Sequence, residues 1–429
     1  MNKKNLNIIL SICFILFSFS FISCVRLTKI PKTDSTQTSQ TSQSSQTPQT
    51  EKTGWNDSDV AQYAVYVNSL MKNAGYAGFW WDCNGIIDRN NLTCRQQIID
   101  AIMSQYPDEE FSYSKTTKGF VEESAATAVH NMKTGWNLGN TLDSTSYDWK
   151  KEGTGEIGWI LQWGEKDSDG KVTVKAFETA WGMPQTTREI IHYVKECGFG
   201  AVRVPVTWAE HLDADNNVDP KWMARVHEVV DYVIDEGMYC IINTHHDGWV
   251  CASENMYNKY NQRFSKLWTQ IANEFIDYDE RLLFASMNEV IDENDSWNPP
   301  AGSAVYQCIN KWNQLFIDTV RATGGNNTKR NLVISPRGCS GTEQDMKIMN
   351  QISDSAKNHL IIEVHNYTPQ GFCFTDATWT KMTAEWKPTI HERDLTKDFE
   401  AYQKWTKTLG LPVIIGEYAA FSKKYEDYK

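Results

Sequence analysis

Basic clusters, zinc-ligand spacings and glycine-rich phosphate loops are all missing from this sequence of 429 residues. Lys and Arg number 42 against 54 Asp and Glu, for a net charge of −12. Binding along a nucleic-acid backbone needs a concentrated positive footprint, so that class of partner is excluded. No HExxH run occurs, and the ten Cys do not fall into paired zinc spacings, so the reading carries no metal and no cofactor. No strand pattern is followed by a phosphate-cradling glycine loop, which argues against a doubly wound nucleotide fold. After the N-terminal segment no apolar run is long enough to span a bilayer. What the sequence has in plenty is aromatic: 17 Trp and 18 Tyr, enough to build a core and still leave flat apolar faces for sugar rings.

The first residues read as an export signal. Lys3 and Lys4 precede an apolar run over 8–22, which ends at Ser23-Cys24. A Cys directly after a small residue is the pattern of a bacterial lipoprotein signal, with Cys24 as the lipidated N-terminus; Phe21 stands where an aliphatic residue is usual. Residues 1–24 are thus expected to direct export to the cell surface or a periplasm-facing membrane, with membrane contact through the lipid alone. Without Cys13 and Cys24, eight Cys remain, some of which can pair in an oxidising compartment. Residues 25–53 form a Ser/Thr/Gln-rich tether whose composition cannot bury a core.

From residue 54 onward, short β-branched runs alternate with amphipathic stretches. Strands are expected at 76–82, 132–140, 201–208, 239–247, 282–289, 331–337, 359–367 and 412–418. Helices at 57–75 and 220–237 have apolar residues on one face and a glycine at the end. Eight strands alternating with helices imply a parallel α/β architecture. Nearly every strand ends in polar or aromatic residues, which favours a closed (β/α)8 TIM barrel with its chemistry on one rim.

Taken together, those strand ends offer Asn137 and Asn140, Arg203, His245-His246-Asp247, Asn288-Glu289, His365 and Tyr367, Glu417, and Trp80-Trp81. Any one of them has an ordinary explanation: a strand-end Glu is usually a surface group, Arg203 an ion-pair partner, a Trp part of the core. His245-His246-Asp247 has a metal-binding alternative, unsupported by any further ligand spacing. As a set they provide two carboxylates on facing strands, the requirement of glycoside hydrolysis. Arg203 would keep a neighbouring glutamate ionised, His365 and Tyr367 would orient it, and Trp81 would stack beneath a sugar ring.

The motifs GWNLGN at 135–140, VRVPVTW at 202–208, NTHHDGW at 243–249, MNE at 287–289, EVHNYTP at 363–369 and IGEY at 415–418 resemble glycoside hydrolase family 5, and most closely its subfamily 4. The resemblance implies a barrel, retention of anomeric configuration, no metal, and a β-1,4-glucan or related hemicellulose as substrate. Carried onto this chain, it implies Glu289 as acid/base and Glu417 as nucleophile. Arg203, His245, Asn288, His365, Tyr367 and Trp81 match supporting residues, and Asn140 and His246 match sugar contacts. The expected activity is that of a monomeric endo-β-1,4-glucanase; a surface glycan-binding protein on the same barrel is the alternative. Two departures stand out: Val290 replaces the usual Pro after MNE, and Ala285 the usual Glu before it.

The order of the pieces also departs from the family. Residues 55–106 read like the family's C-terminal part, a helix, GFWWD and a second helix, yet they precede the rest. A circular permutation is therefore expected within one catalytic barrel, 54–429. In it 54–106 is the usual C-terminal part, 107–119 joins the old ends, and 120–429 is the usual N-terminal part. In a closed barrel the last strand neighbours the first, so such a rearrangement is sterically easy.

Overall fold

The computed structural model describes residues 52–106, 119–148, 151–152, 155 and 157–428. The expected signal 1–24 with Cys24, the tether as far as residue 51, and the joining segment 107–118 lie outside the described residues.

Spacing of apolar residues by three and four makes the first helix, Asp57–Ala74, which buries Val60, Ala64, Val67 and Met71 on one side. Gly75 stops it at φ 73°, a conformation that costs a residue with a side chain about 1–2 kcal/mol. Helix Pro220–Asp235 has Pro220 in its first turn, an Asp219 cap on the Lys221 N–H, and a buried face of Trp222, Val226, Val229, Val230 and Val233.

Each of the eight expected runs contributes one barrel strand: β1 Ala77–Asp82, β2 Thr134–Leu138, β3 Ala201–Val204, β4 Tyr239–Asn243, β5 Leu282–Ala285, β6 Leu332–Ile334, β7 Leu360–His365 and β8 Val413–Tyr418. All neighbours pair in parallel, and the sheet closes because β1 pairs with both β8 and β2. The first strand in the chain thus sits between the last and the second.

Several strands are shorter than expected: 132–140 contracts to Thr134–Leu138, 239–247 to Tyr239–Asn243, and 282–289 to Leu282–Ala285. Past those points the regular ladder gives way to single backbone bonds, as where His245 N–H donates to the Val206 carbonyl and Ser286 N–H to that of Val333. Asn140, His245, His246, Asn288, Glu289 and Tyr367 therefore lie just beyond the strands, on the C-terminal rim, while Asn137, Arg203, His365 and Glu417 stand within them.

Inside the barrel pack Ala77, Phe79, Ala201, Tyr239, Ile241, Leu283, Ala285, Val333, Ile361 and Ile414. Ala125, Ala128, Val129 and Met132 of helix Ala125–Met132 join the same cluster and plug its lower end. Burying each large side chain there contributes about 1.5–3 kcal/mol. Strand alternation separates the two adjacent tryptophans. Trp80 packs outward, with ring centroids 6.3 Å from Tyr63 and 5.3 Å from Tyr418. Trp81 shares the inward face of Ala77 and Phe79.

Near the ends of the described chain, Trp55 bridges Lys424, and Asn56 exchanges two hydrogen bonds with Lys423 at 2.9 and 2.6 Å. The buried Lys423 ammonium bonds the Phe372 and Thr383 carbonyls in the loop that follows β7. Both ends are thereby knitted to the rim side of the barrel.

Candidate active site

Arg203 projects from β3 into the barrel mouth and is fully buried. A guanidinium carries a rigid fork of five donors, and three of them make hydrogen bonds here while Nε faces a carboxylate. Nη1 donates to Asn137 Oδ1 and to Glu417 Oε1, each at 3.0 Å, Nη2 donates to Asn288 Oδ1 at 2.7 Å, and Nε lies 2.9 Å from Glu363 Oε1. Burial opposes the charge on Arg203, but Glu363 and then Glu417 more than offset it, so its pKa is raised. It joins residues from four other strands or strand ends.

Glu417 reaches the mouth because β8 has an irregularity. Val364 aligns with Ile415, yet His365 aligns with Glu417, so one extra residue is accommodated at Gly416. A bulge of this kind re-aims the side chain that follows it. A side chain on Gly416 would collide with the Glu363 carboxylate, which explains glycine at that position.

Around Glu417 the charges are densely arranged. Tyr367 donates its hydroxyl to Oε2 at 3.0 Å, and His365 Nδ1 lies 3.6 Å from the same oxygen. Burial pushes the Glu417 carboxyl up, His365 and Arg203 pull it down, Glu289 pushes it up again, and the net direction is upward. Burial, then the carboxylates of Glu417 and Glu289, raise Tyr367 far above its usual value, so it remains a donor. His365 sits between Glu289 Oε1 at 2.8 Å and Glu363 Oε1 at 3.1 Å. Burial works against a charged His365, but the Cys339 sulfur and the Glu417 and Glu289 carboxylates raise it well above its ordinary value. Cys339 is itself pushed up by burial and stays a thiol, so the carboxylates supply the negative charge.

Glu289, His365 and Glu417 each bring one atom within 4.8 Å of the others, so an oxygen of each carboxylate lies inside that distance. Glu289 is the more open of the two, with 31% of its side chain exposed against 7% for Glu417.

His245 and Trp81 make one wall. Their rings are nearly parallel, 8° apart in plane and 5.8 Å between centroids. Asn243 accepts the Val206 N–H through Oδ1 and so offers its NH2 to His245 Nδ1 at 3.1 Å. Burial, and then the neighbouring His246, Arg203 and His365, drive His245 well below its usual pKa. It is therefore a neutral imidazole protonated on Nε2, a hydrogen-bond donor with no charge. His246 bonds the Asp143 carbonyl through Nδ1 at 2.8 Å and packs edge-on to Trp181, 5.7 Å away. Asn140, at φ 58°, gives its N–H to Asp143 Oδ2 at 3.1 Å.

Asp247 does not join the two histidines. It accepts the Trp208 N–H and the Trp249 indole N–H, both at 3.2 Å, and burial beside Glu210 raises it to about 7. Asp143 stands with His245 and His246 instead, with its oxygens already taking the Asn140 and Thr141 N–H groups.

Sequence reasoning overlooked Glu363, Cys339 and Asp143. For Glu363 a signal existed: a charged residue in the middle of the apolar run LIIEVH must have a buried partner. Burial works against its charge, yet Arg203 and His365 together outweigh that and lower its pKa. Of the eight cysteines left after Cys13 and Cys24, seven are free thiols: Cys94, Cys197, Cys240, Cys251, Cys308, Cys339 and Cys373.

A closed parallel barrel with two carboxylates and an arginine at its C-terminal mouth defines a (β/α)8 enzyme of the glycosidase type. The cellulase model of glycosyl hydrolase family 5 matches residues 166–428, and this chain belongs to that family. Endoglucanase A of Clostridium longisporum is 34% identical over 306 residues, which cover 70% of this chain and 54% of that protein. Endoglucanase A of Ruminococcus albus is 35% identical over 313 residues, 71% of this chain and 76% of its own length. Among solved structures, PbGH5A, a family 5 enzyme from Prevotella bryantii B14, superposes with a TM-score of 0.60 at 40% identity, covering 70% of this chain and 79% of that one. A mutant of PbGH5A has been solved with the xyloglucan tetradecasaccharide XXXGXXXG, and matches at 39% identity over the same shares of the two chains with the same TM-score. The chain spans about half the length of the Clostridium longisporum relative.

Proposed function

We propose that this protein is an endo-acting β-1,4-glucanase that retains anomeric configuration, with Glu417 as nucleophile and Glu289 as acid/base. The observation that carries the proposal is the pair of carboxylates with oxygens within 4.8 Å of each other. Retaining enzymes need about 5–5.5 Å between the two groups, whereas inverting enzymes leave about 6.5–9.5 Å for a water.

In the first step a Glu417 oxygen attacks the anomeric carbon while the glycosidic C–O bond breaks. Glu289 gives its proton to the departing sugar oxygen. Arg203 and Tyr367, both hydrogen-bonded to Glu417, hold the attacking carboxylate in place. In the second step Glu289 removes a proton from water, the water oxygen bonds to the anomeric carbon, and Glu417 departs as carboxylate. Asn288, with its carbonyl oxygen occupied by Arg203, has its NH2 left to donate to a sugar hydroxyl. His245 donates through Nε2, Trp81 supports a ring by stacking, and Asn140 and His246 add sugar contacts on the same side.

The Prevotella bryantii enzyme bound to a xyloglucan fragment supports a glucan backbone that carries side branches as one substrate. A glycan-binding protein without catalysis is disfavoured, because two close carboxylates beside a neutral sugar add nothing to binding.

The chain is further proposed to be a circularly permuted member of the family, exported and held to a membrane by lipid on Cys24. The first point is supported by the order of the family motifs, by Ala77–Asp82 supplying a strand of the same closed barrel rather than a separate lobe, and by the meeting of Asn56 with Lys423 on the rim side. The n-region, apolar run and Ser23-Cys24 support the second, and no helix among the described residues is long and apolar enough to cross a membrane. Incorporation of labelled fatty acid, lost in Cys24→Ser, tests the anchor.

Glu417→Gln should abolish turnover of every substrate, because no glycosyl-enzyme can form. Glu289→Gln should lose about 10²–10⁴ on polysaccharide but still react with dinitrophenyl cellobioside in the first step, since that leaving group needs no proton. Retention by either variant of more than about a tenth of the polysaccharide activity, well above that range, would overturn the assignment.

A further inference from the structure

Cys339 is fully buried at the end of the turn Arg337–Cys339, which follows β6. Its sulfur accepts the backbone N–H of Glu289 at 3.3 Å and sits close enough to the His365 side chain to feel its charge. Next to it, Gly338 N–H donates to the Val290 carbonyl at 2.9 Å. The turn therefore grips the Glu289-Val290 backbone on both sides.

That grip acts on a strained segment. Glu289 has φ 43° and Cys339 φ 48°, both in the left-handed region that non-glycine residues seldom occupy. Such backbone persists only where its surroundings hold it. Val290 belongs to the same explanation. A proline at 290 would drive the residue before it toward extended backbone, so valine permits the left-handed Glu289 without enforcing it. Enforcement has to come from neighbours, and the ties to Cys339 and Gly338 supply it.

We propose that Cys339 is a positioning residue for the acid/base step: its sulfur holds the Glu289 backbone in register with the His365 ring that bonds the Glu289 carboxylate, so that this carboxylate meets the departing oxygen. The sulfur touches no substrate and acts only through Glu289 and His365. The proposal rests on Glu289 being the acid/base.

The test compares Cys339→Ala, Cys339→Ser and Cys339→Gly with the unmodified protein and with Glu289→Gln. Serine keeps an acceptor, alanine removes it, and glycine removes it while fitting φ 48° without strain, which covers the case in which alanine does not fold. Each variant is assayed on polysaccharide and on dinitrophenyl cellobioside under single-turnover conditions. Alanine and glycine should lower polysaccharide kcat by roughly ten- to a hundredfold, less than outright loss of the acid. KM should stay unchanged, the dinitrophenyl substrate should be affected only slightly, and serine should recover most of the loss. A purely structural role would lower both substrates alike. That result, or full polysaccharide activity in alanine and glycine, overturns the proposal. If Glu289→Gln itself loses both substrates equally, the acid/base assignment fails instead.

Discussion

Replacing Arg203 with methionine removes the one guanidinium that faces both Glu363 and Glu417, at 2.9 and 3.0 Å, while keeping most of the side-chain volume. Both carboxylates are buried, and the charged His365 balances only one of them. The other must take up a proton or remain uncompensated. For a carboxyl with an unfolded pKa near 4.3, holding a proton costs about 1.36 kcal/mol per pH unit above that value, so about 4.4 kcal/mol at pH 7.5 and about 1 kcal/mol at pH 5. The first figure falls in the range of about 3–5 kcal/mol known for breaking buried ion pairs. The sign follows from proton counting. The variant's folded state binds more protons than its unfolded state, so its stability falls as pH rises above the unfolded pKa. In the unmodified protein Glu363 behaves oppositely: its pKa is lowered, chiefly by Arg203 against the effect of burial, so its stabilisation is present at neutral pH and is lost in acid. Urea unfolding of both proteins at pH 5 and 7.5 reads the difference directly. A loss below about 1 kcal/mol at pH 7.5, or one of the same size at both pH values, would refute the idea that Arg203 neutralises this buried pair.

The two tryptophans of β1 should separate cleanly. Trp81→Ala is expected to lower kcat/KM by about ten- to thirtyfold, and Trp80→Ala to cost about 3–5 kcal/mol of stability with kcat/KM unchanged in the folded protein; the reverse pattern in kcat/KM would reassign the stacking residue. Proton NMR of the first products should show the β-anomer, and α-anomer first would exclude double displacement. A gene reordered to run 120–428 and then 54–106 through a short linker should fold and hydrolyse glucan. A chain without 54–106 should lose β1 and be insoluble or inactive; full activity there would count against the permutation.

Much of this molecule is written in local patterns. The eight strands, the helix faces at Val60, Val67, Val226 and Val233, and the stop at Gly75 follow from periodicity and backbone preference, which act over a few residues. The residues at strand ends were legible for the same reason, since a parallel barrel sends all of them to one rim. Other features depend on which strands meet. No local rule marks the extra residue at Gly416 that turns Glu417 inward, because a bulge exists only relative to the register of a neighbour. Nor does the sequence reveal that Glu363, Arg203 and His365 share one buried charge network, or that Cys339 touches Glu289 from 50 residues away. It also left open which of Trp80 and Trp81 faces the mouth, since alternation gives opposite faces without naming them. Sequence alone determined the elements and the chemical types at their ends. Tertiary structure decided the charge balance and the aim of each carboxylate, because both depend on distances between strands that the chain brings together only when the barrel closes.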